Sequence, residues 1–524
     1  MHGSQKMSTF ALSKSRCSAV GSVPGLGPGC RRFESCHLDF RCIVCILFLL
    51  IGNVLTFARD SYKTQNSSRS FLYIYRYTLK DKQGGTYSLD APNRWLSHKS
   101  VERRHRQGLA LDSTDLPVSS LYLKLFRKTI NETLSLHTHD KPKAFVVGTS
   151  RWNNTILVCS DDTTLLRELS ALQCVSQSQM VWMDRDSIAK KSSRVKYHDY
   201  YHRWDSIPGE HYGHGKEQIE MLHGHRLHSI GKRGKGMTIA VLDEGFQNAD
   251  VIPALRYANI VGKKDFVYPY SQDFYREADH GTKVLSVMAA NVPSVLVGTA
   301  PDASYLLLRC ENHHSEQPVE EDYWAMAAEY ADSAGADIIN SSVGYHEFIG
   351  NFKNYRQRDL DGKTALISRT ASMLARKGIV LVNSAGNTGM GPWKKIIFPA
   401  DANDILTVGA IDAENKNVPF SGVGPTQDGR VKPDVMALGS ATSLLSGSGA
   451  VIRDMGTSFS APLVTGLIAC LWQAIPSLTA FDIISLVRRA SSDYVQPDNI
   501  YGYGRPNFWR AYMIGKSEEK RGEK

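Results

Sequence analysis

From residue 237 onward, short apolar runs alternate with longer segments in which apolar residues recur every three or four positions. The short runs predict strands, because a strand buried on both faces is apolar throughout. The longer segments predict helices that bury one face. Strands are predicted at 237–242, 305–308, 337–340, 379–382 and 405–408, and helices at 280–290, 319–334, 364–377, 458–474 and 480–490. This alternation predicts an α/β fold for residues 236–515, a doubly wound, mostly parallel sheet with helices on both faces.

Residues 59–188 follow a different pattern and predict a small separate unit. A β-rich run precedes a charged helical stretch, and a strand, a leucine-rich helix and a further strand come later. These segments lie at 71–77, 95–108, 155–159, 165–172 and 180–182. Their order is typical of a ferredoxin-like α+β module.

The first 58 residues predict an N-terminal extension that ends in a secretory signal. A basic flank precedes a short apolar stretch at 42–51, and small residues follow near Ala58. This stretch is too short for a membrane-spanning helix, which needs about 20 apolar residues. We therefore expect an exported protein, periplasmic, cell-surface or extracellular, with no stable membrane span in its mature form.

Two further segments lack a strong hydrophobic period. Residues 189–235 contain seven histidines and predict a polar linker that includes the start of the mature chain. A metal site or a pH-sensitive linker is the alternative for these histidines. Residues 516–524 are charged and predict a disordered tail.

The formal charge of +10 is unevenly distributed. Residues 59–200 hold 23 basic and 14 acidic side chains, whereas residues 201–524 hold 33 and 36. Because the basic excess lies in the N-terminal third, the charge favours docking of one part of the chain on another over nucleic-acid binding. The four cysteines beyond residue 45 are far apart, so the sequence predicts no disulfide framework.

Ser458 lies where a loop enters the apolar helix predicted at 458–474. The first turn of a helix presents unpaired backbone N–H groups and the positive end of the helix dipole. That position suits a helix-capping serine, and it equally suits a nucleophile whose reaction develops negative charge. The segment around Ser458 does not by itself separate the two.

Three more polar residues stand at comparable places. Asp243 ends the strand predicted at 237–242, His280 begins a helix, and Asn387 follows the strand at 379–382. The carboxyl ends of parallel strands face the crevice where ligands bind. Aspartate, histidine and serine in this chain order form one of the known orders of the hydrolytic triad. The combination predicts that His280, oriented by Asp243, is the base for Ser458, and that the Asn387 amide holds the oxyanion.

Five motifs in this order, spread over residues 234–491, resemble those of the subtilisin-like (subtilase) serine peptidases. They are Val241-Leu242-Asp243-Glu244-Gly245, His280-Gly281-Thr282, Gly298-Thr299-Ala300-Pro301, Ser384-Ala385-Gly386-Asn387 and Gly456-Thr457-Ser458-Phe459-Ser460-Ala461-Pro462. The resemblance implies a secreted serine endopeptidase that works through an acyl-enzyme and is made as a self-processing zymogen. The unit at 59–188 is similar to the inhibitory, chaperone-like propeptide of Bacteroidetes-type members, which binds its own peptidase domain in cis.

The same resemblance implies which residues meet the substrate. Ser342, Val343 and Gly344 pair with an extended peptide as an added strand, and Ala385 and Gly386 line the pocket for the residue before the scissile bond. The implied partners are polypeptide substrates and the propeptide, with no nucleic acid, and the expected state is a monomer.

No cofactor or metal is expected, and structural calcium is the alternative. The segment Asp359-Leu360-Asp361-Gly362 resembles a fragment of a calcium loop, but two carboxylates are too few for a site. The alternative function is a catalytically silent binding protein of the same fold. A serine esterase would need a Gly-x-Ser-x-Gly elbow, which Ser458 lacks.

Overall fold

The computed structural model describes residues 71–136, 142–185 and 206–522. Residues 71–185 are called the N-terminal unit below, and residues 206–522 the α/β unit. The predicted signal within residues 1–58 and the middle of the predicted linker, at 189–205, lie outside the described residues.

The N-terminal unit has four strands and three helices among its described residues. They are β1 (Phe71–Leu79), α1 (His98–Arg106), α2 (Ser120–Leu136), β2 (Ala144–Ser150), β3 (Thr155–Ser160), α3 (Thr163–Ser170) and β4 (Val175–Arg185). The strands form one antiparallel sheet in the order β2-β3-β1-β4. This is the ferredoxin-like arrangement that the sequence predicts.

The α/β unit is built on a seven-stranded parallel sheet. Its elements are α4 (Lys216–Glu220), α5 (Gly224–Ser229), β5 (Thr238–Asp243), β6 (Asn259–Asp265), α6 (His280–Ala289), β7 (Asn291–Val292), β8 (Leu296–Val297), β9 (Ser304–Arg309), α7 (Val319–Ala334), β10 (Ile338–Ser341), α8 (Leu366–Ala371), β11 (Val380–Ser384), β12 (Leu406–Ile411), β13 (Val435–Leu438), β14 (Thr442–Leu445), β15 (Val451–Asp454), α9 (Thr457–Ala474), α10 (Ala480–Arg489) and α11 (Phe508–Gly522). The order in the sheet is β13-β12-β11-β10-β5-β9-β6. The doubly wound fold is confirmed.

Two apolar cores enclose this sheet. One lies between the sheet and the helices α6 and α9, and includes Val284 and Leu467. The other lies on the opposite face and includes α7. Side chains of the N-terminal unit, among them Ile74 and Trp182, belong to this second core together with Trp324 of α7. One face of the N-terminal sheet is therefore buried against the α/β unit.

The predicted linker is wrong for its C-terminal part. Residues 216–229 form α4 and α5, and Ile219, Leu222 and Leu227 are fully buried. His228 also belongs to this packing, because its Nε2 lies 2.9 Å from the carbonyl of Thr299. Burial lowers the pKa of His228 to about 4, so this histidine is a neutral core residue.

The predicted disorder of residues 516–524 is contradicted through Gly522, where α11 ends. Charged side chains of this last stretch pair with each other and with α10. Arg489 contacts Glu518 at 2.6 Å, and Lys516 contacts Glu519 at 2.6 Å. The charges that predicted disorder are used in these ion pairs.

Candidate active site

Asp243 lies at the carboxyl end of β5, an interior strand whose six residues are all buried. Its side chain has no exposed surface. Its Oδ1 accepts a hydrogen bond from the backbone N–H of Glu244 at 2.9 Å and lies 2.7 Å from Nδ1 of His280. The carboxylate is thus positioned to orient the imidazole and to stabilise its charged form.

His280 is the first residue of α6, and its side chain is 26% exposed. Burial disfavours the imidazolium, but the charge and hydrogen bond of Asp243, with the charges of Glu244 and Glu311, outweigh it and raise the pKa of His280 to about 9. Because Nδ1 contacts Asp243, Nε2 is the ring nitrogen left for proton transfer.

Ser458 is the second residue of α9, a helix buried along almost its whole length. Its side chain is nearly buried, and its hydroxyl donates to the carbonyl of Ser342 at 3.3 Å. The Ser342 hydroxyl in turn donates to the carbonyl of Ser458 at 2.9 Å. Ser458 therefore contacts the segment Ser342–Gly344, which is predicted to pair with the substrate. The N–H groups of the first helical turn lie beside it.

Asn387 is held by a residue that the sequence does not single out. Its Oδ1 accepts hydrogen bonds from both the backbone N–H and the hydroxyl of Thr457, each at 3.0 Å. The Thr457 hydroxyl also accepts from the backbone N–H of Gly386 at 3.1 Å. With its oxygen engaged, the amide of Asn387 has its N–H₂ group to offer. In the sequence, only its position directly before Ser458 marks Thr457 as a residue of the site.

A groove of about 300 Å³ brings these residues together. Its lining residues are Glu244, His280, Glu311, Glu316, Ser342, Val343, Gly344, His346, Ser384, Gly386, Asn387, Thr388, Ile397, Thr457 and Ser458. Asp243 lies behind His280, and Ala385 is fully buried, so neither lines the groove. At Gly386, with φ of +97°, a Cβ would lie 2.6 Å from Ile397, which explains the glycine.

Three carboxylates of the groove were not predicted as site residues. Glu244 follows β5 directly, and Glu311 and Glu316 belong to the loop that leads from β9 to α7. Burial raises the pKa of all three, and the charges of Glu244 and Asp243 add to the effect at Glu311. The groove is therefore strongly acidic beside His280.

The N-terminal unit is joined to α7 by buried ion pairs. Asp332 accepts hydrogen bonds from Arg103, Arg104 and Arg151, with Arg104 at 2.9 Å. All four side chains are buried. Burial alone would raise the pKa of Asp332, but the three guanidinium groups outweigh it and lower that pKa to about 2. Asp332 therefore stays ionised at the centre of this contact.

The last strand of the N-terminal unit reaches the loop that lines the groove. The backbone N–H of Met183 donates to the Gln317 side chain at 2.9 Å, and the Gln317 side chain donates back to the Met183 carbonyl at 3.2 Å. Gln317 is adjacent to Glu316 of the groove. The end of β4 is therefore paired with the loop that contributes Glu316 to the groove.

The carboxylates of the calcium-like segment are engaged in local turns. Asp361 accepts from the backbone N–H groups of Lys363 and Thr364 at 2.8 and 2.7 Å. Asp359 accepts from the N–H of Arg356 at 2.9 Å. Both carboxylates of the segment therefore serve as acceptors of local turns. Among the described residues, no helix is long and apolar enough to cross a membrane.

Two family models match this chain, and known proteins are similar to it. A family model described as "Subtilase family" (Peptidase S8) matches residues 234–504, and a model described as "Peptidase S8 propeptide domain, Bacteroidota" matches residues 75–198. Subtilisin NAT of Bacillus subtilis subsp. natto is 27% identical over 292 residues, which is 55% of this chain and 69% of that protein. Serine protease AprX of Bacillus subtilis (strain 168) is 27% identical over 305 residues, covering 52% of this chain and 65% of that protein. A crystal structure of MycP1 without its N-terminal propeptide covers 56% of this chain and 96% of that chain, at 24% identity and a TM-score of 0.46.

The first family model alone spans more than half of the chain, and the second covers most of the N-terminal unit. The α/β unit is thus the peptidase domain, and the N-terminal unit is its propeptide domain. The chain belongs to the subtilase family and is a serine endopeptidase with a propeptide of the Bacteroidota type.

Proposed function

We propose that this protein is an exported, self-processing endopeptidase in which Asp243, His280 and Ser458 form the catalytic triad. Ser458 Oγ attacks the carbonyl carbon of the scissile peptide bond while Nε2 of His280 takes the hydroxyl proton. His280 then gives that proton to the leaving amine, and the acyl-enzyme forms. Water attacks the acyl group with His280 again as the base, which releases the acid and restores Ser458.

Asn387 and the backbone N–H of Ser458 are the proposed oxyanion donors. Losing one such donor costs about 2.7–4 kcal/mol of transition-state stabilisation. The two hydrogen bonds from Thr457 to the Asn387 oxygen support this role, because they fix which end of the amide faces the groove. The Ser458 hydroxyl has only a 3.3 Å bond to Ser342 to give up when it turns toward His280.

The substrate is proposed to lie as an extended strand along Ser342, Val343 and Gly344. Gly386 lines the pocket for the side chain before the scissile bond, and Ala385 supports it from the core. A Cβ at Gly344 would lie 2.8 Å from the Phe398 carbonyl, so this glycine lets the proposed substrate-binding segment pack closely against the backbone of Phe398.

The observation that carries the proposal is the 2.7 Å contact between Asp243 and His280 in a groove shared with Ser458. A fluorophosphonate probe should label Ser458 in the processed protein, and that protein should digest casein. Ser458→Ala should abolish both. Ser460→Ala is the matched control: it lies one helical half-turn further on, its hydroxyl is buried without a partner in the described residues, and it should retain both activities.

An unlabelled but folded wild-type protein would instead support the catalytically silent binding protein. Labelling with cleavage of short-chain esters and no digestion of casein would support an esterase.

The propeptide domain is proposed to inhibit the peptidase domain in cis until Ser458 cuts the connection. The cut is expected between Asp184 and Gly209, mostly outside the described residues. The approach of β4 to the groove through Gln317 supports this route. Ser458→Ala should accumulate as an uncut precursor in a protease-free host, whereas Ser460→Ala should mature. N-terminal sequencing of the mature protein locates the cut, and its recovery from the medium or periplasm tests export; maturation of Ser458→Ala would exclude self-processing.

A further inference from the structure

In and next to the acidic part of the groove, three buried oxygen atoms have no hydrogen-bond partner among the described residues. They are Oε2 of Glu311, Oε2 of Glu320 and the hydroxyl of Tyr345. Glu311 lines the groove, Glu320 is 1% exposed, and Tyr345 is fully buried. Native proteins satisfy most buried polar groups, so three such oxygens together indicate a missing partner.

The charges of these groups affect one another's pKa. Burial and the charge of Glu311 raise the pKa of Glu320, and burial together with Glu311 and Glu320 raises the pKa of Tyr345. Glu244 and Glu316 line the groove beside Glu311 and add negative charge. No lysine or arginine stands among the described lining residues, and the imidazole of His280, the cationic group of the groove, is already held by Asp243. The partner that this region lacks is therefore a further cation.

A metal ion is a poor candidate for that cation. Three protein ligands to one ion must bring their oxygen or nitrogen atoms close together. In the part of the chain that the structure describes, the three-ligand group found within 4.8 Å consists of Glu277, His313 and His314. The carboxylates of Glu244, Glu311 and Glu316 do not gather in this way, which suits a cation that carries several N–H donors on an extended side chain.

We propose that Glu311, with Glu320 and Tyr345 behind it, forms a subsite that binds a lysine or arginine side chain of the substrate next to the scissile bond. This inference rests on the proposed peptidase function of the same groove. The ammonium or guanidinium donates to the Glu311 carboxylate, and its charge compensates the neighbouring Glu244 and Glu316. The enzyme thus selects basic segments, while the backbone strand at Ser342–Gly344 accepts any sequence.

The test compares fluorogenic peptides that share one backbone and differ at a single position, scanned over four residues before and two residues after the scissile bond. Each position carries lysine, arginine, citrulline or glutamine. We expect kcat/KM to be about 10- to 100-fold higher for a basic residue than for its neutral analogue at one position, in line with a charge-assisted hydrogen bond.

Glu311→Gln should bring the ratio of kcat/KM for the basic peptide to kcat/KM for the neutral peptide close to one, since the hydrogen bond to a charged partner is weakened. The two peptides are compared at one pH, so that the effect of Glu311 on His280, which both share, cancels from the ratio. Glu414→Gln is the matched control, because Glu414 is exposed in the turn after β12 and should leave the preference unchanged. Fluorophosphonate labelling of each variant reports a folded active site independently of the subsite.

Equal cleavage of basic and neutral peptides by a labelled wild-type enzyme would overturn the inference and leave the proposed function standing. So would an unchanged preference in Glu311→Gln. An activity that depends on added calcium and loses this dependence in Glu311→Gln would assign the same carboxylates to a metal instead. Failure of the wild-type enzyme to label would refute the proposed function itself.

Discussion

Asp332 is expected to control how firmly α1 of the propeptide domain is held against the peptidase domain. The perturbation is Asp332→Asn in the full-length Ser458→Ala precursor. Three arginines, Arg103, Arg104 and Arg151, lose their common counter-ion, while the packing volume stays the same. The buried residues of α1 are Ser100, Arg103 and Arg104, so this helix has no buried apolar side chain to hold it in place.

Removing one partner from a buried ion pair costs about 3–5 kcal/mol. At 1.36 kcal/mol per factor of ten, local opening of α1 should become about 100- to 5,000-fold more frequent. Hydrogen exchange monitored by mass spectrometry measures this opening directly. The amides of α1 should exchange faster in the variant by that factor, whereas the amides of β5 and α9 should not change.

Glu132→Gln is the control, because Glu132 lies on the exposed face of α2 and its ion pair with Lys128 is 64–69% exposed. It should leave the exchange of α1 unchanged. If Asp332→Asn and Glu132→Gln give the same exchange at α1, the ion pairs do not hold the propeptide, and the reasoning is refuted.

The pH dependence of this difference follows from the lowered pKa of Asp332. A carboxyl group whose pKa is lower in the folded state stabilises that state above its ordinary pKa of about 3.8 and loses the effect as the pH falls through the folded value. The folded pKa is about 2. The gap in exchange between wild type and Asp332→Asn should be full above about pH 4 and should close toward pH 2.

Two further predictions concern catalysis, and a third concerns stability. Because the pKa of His280 is raised to about 9 and the base must be neutral, kcat/KM should rise about tenfold per pH unit and level off near pH 9; Glu311→Gln should move this limb to lower pH, and an unmoved limb would exclude its charge as a cause. Thr457→Val removes a hydrogen bond that orients Asn387, so kcat should fall about 10- to 100-fold with little change in KM, compared with about 100- to 1,000-fold for Asn387→Ala. Gly386→Ala forces a side chain into a left-handed backbone and a 2.6 Å contact, and should lower the free energy of unfolding by about 1–3 kcal/mol in urea titration; an unchanged value would show that the loop relaxes.

The hydrophobic pattern predicted five of the seven strands of the parallel sheet. It missed the two edge strands, β6 and β13, and β13 is fully buried but only four residues long. β5, α7 and α9 lie in the interior, so their apolar periods are strong, and the helix predicted at 319–334 agrees with α7. The edge strand β6 (Asn259–Asp265) was missed, because it is largely exposed and its sequence is as polar as a loop. The helix predicted at 364–377 is interrupted: α8 ends at Ala371, and a short 3-10 turn precedes Gly378.

The site residues divide in the same way. Asp243, His280 and Ser458 stand at strand ends and helix starts, and the topology of a parallel sheet brings such positions together. The hydrogen bonds of Thr457 to Asn387 and the position of Glu311 in the groove depend on how the loops close, and no local pattern marks them. The linker and the tail were mispredicted because Ile219 of α4 and Glu518 of α11 find tertiary partners that composition does not reveal.

The acidic face of α7 has a consequence for the mature enzyme. In the precursor, Asp322 accepts a hydrogen bond from Arg76 of the propeptide domain. Glu329 accepts from the backbone N–H of Arg151, and Asp332 accepts from the Arg151 guanidinium. When that domain departs, these three carboxylates of α7 lose the arginine side chains and backbone N–H groups that it supplied, so the repulsion among them is less compensated. Added salt screens this repulsion in the mature form but weakens the arginine contacts of the precursor. Ionic strength is therefore expected to act in opposite directions on the two forms, stabilising the free peptidase while loosening its complex with the propeptide.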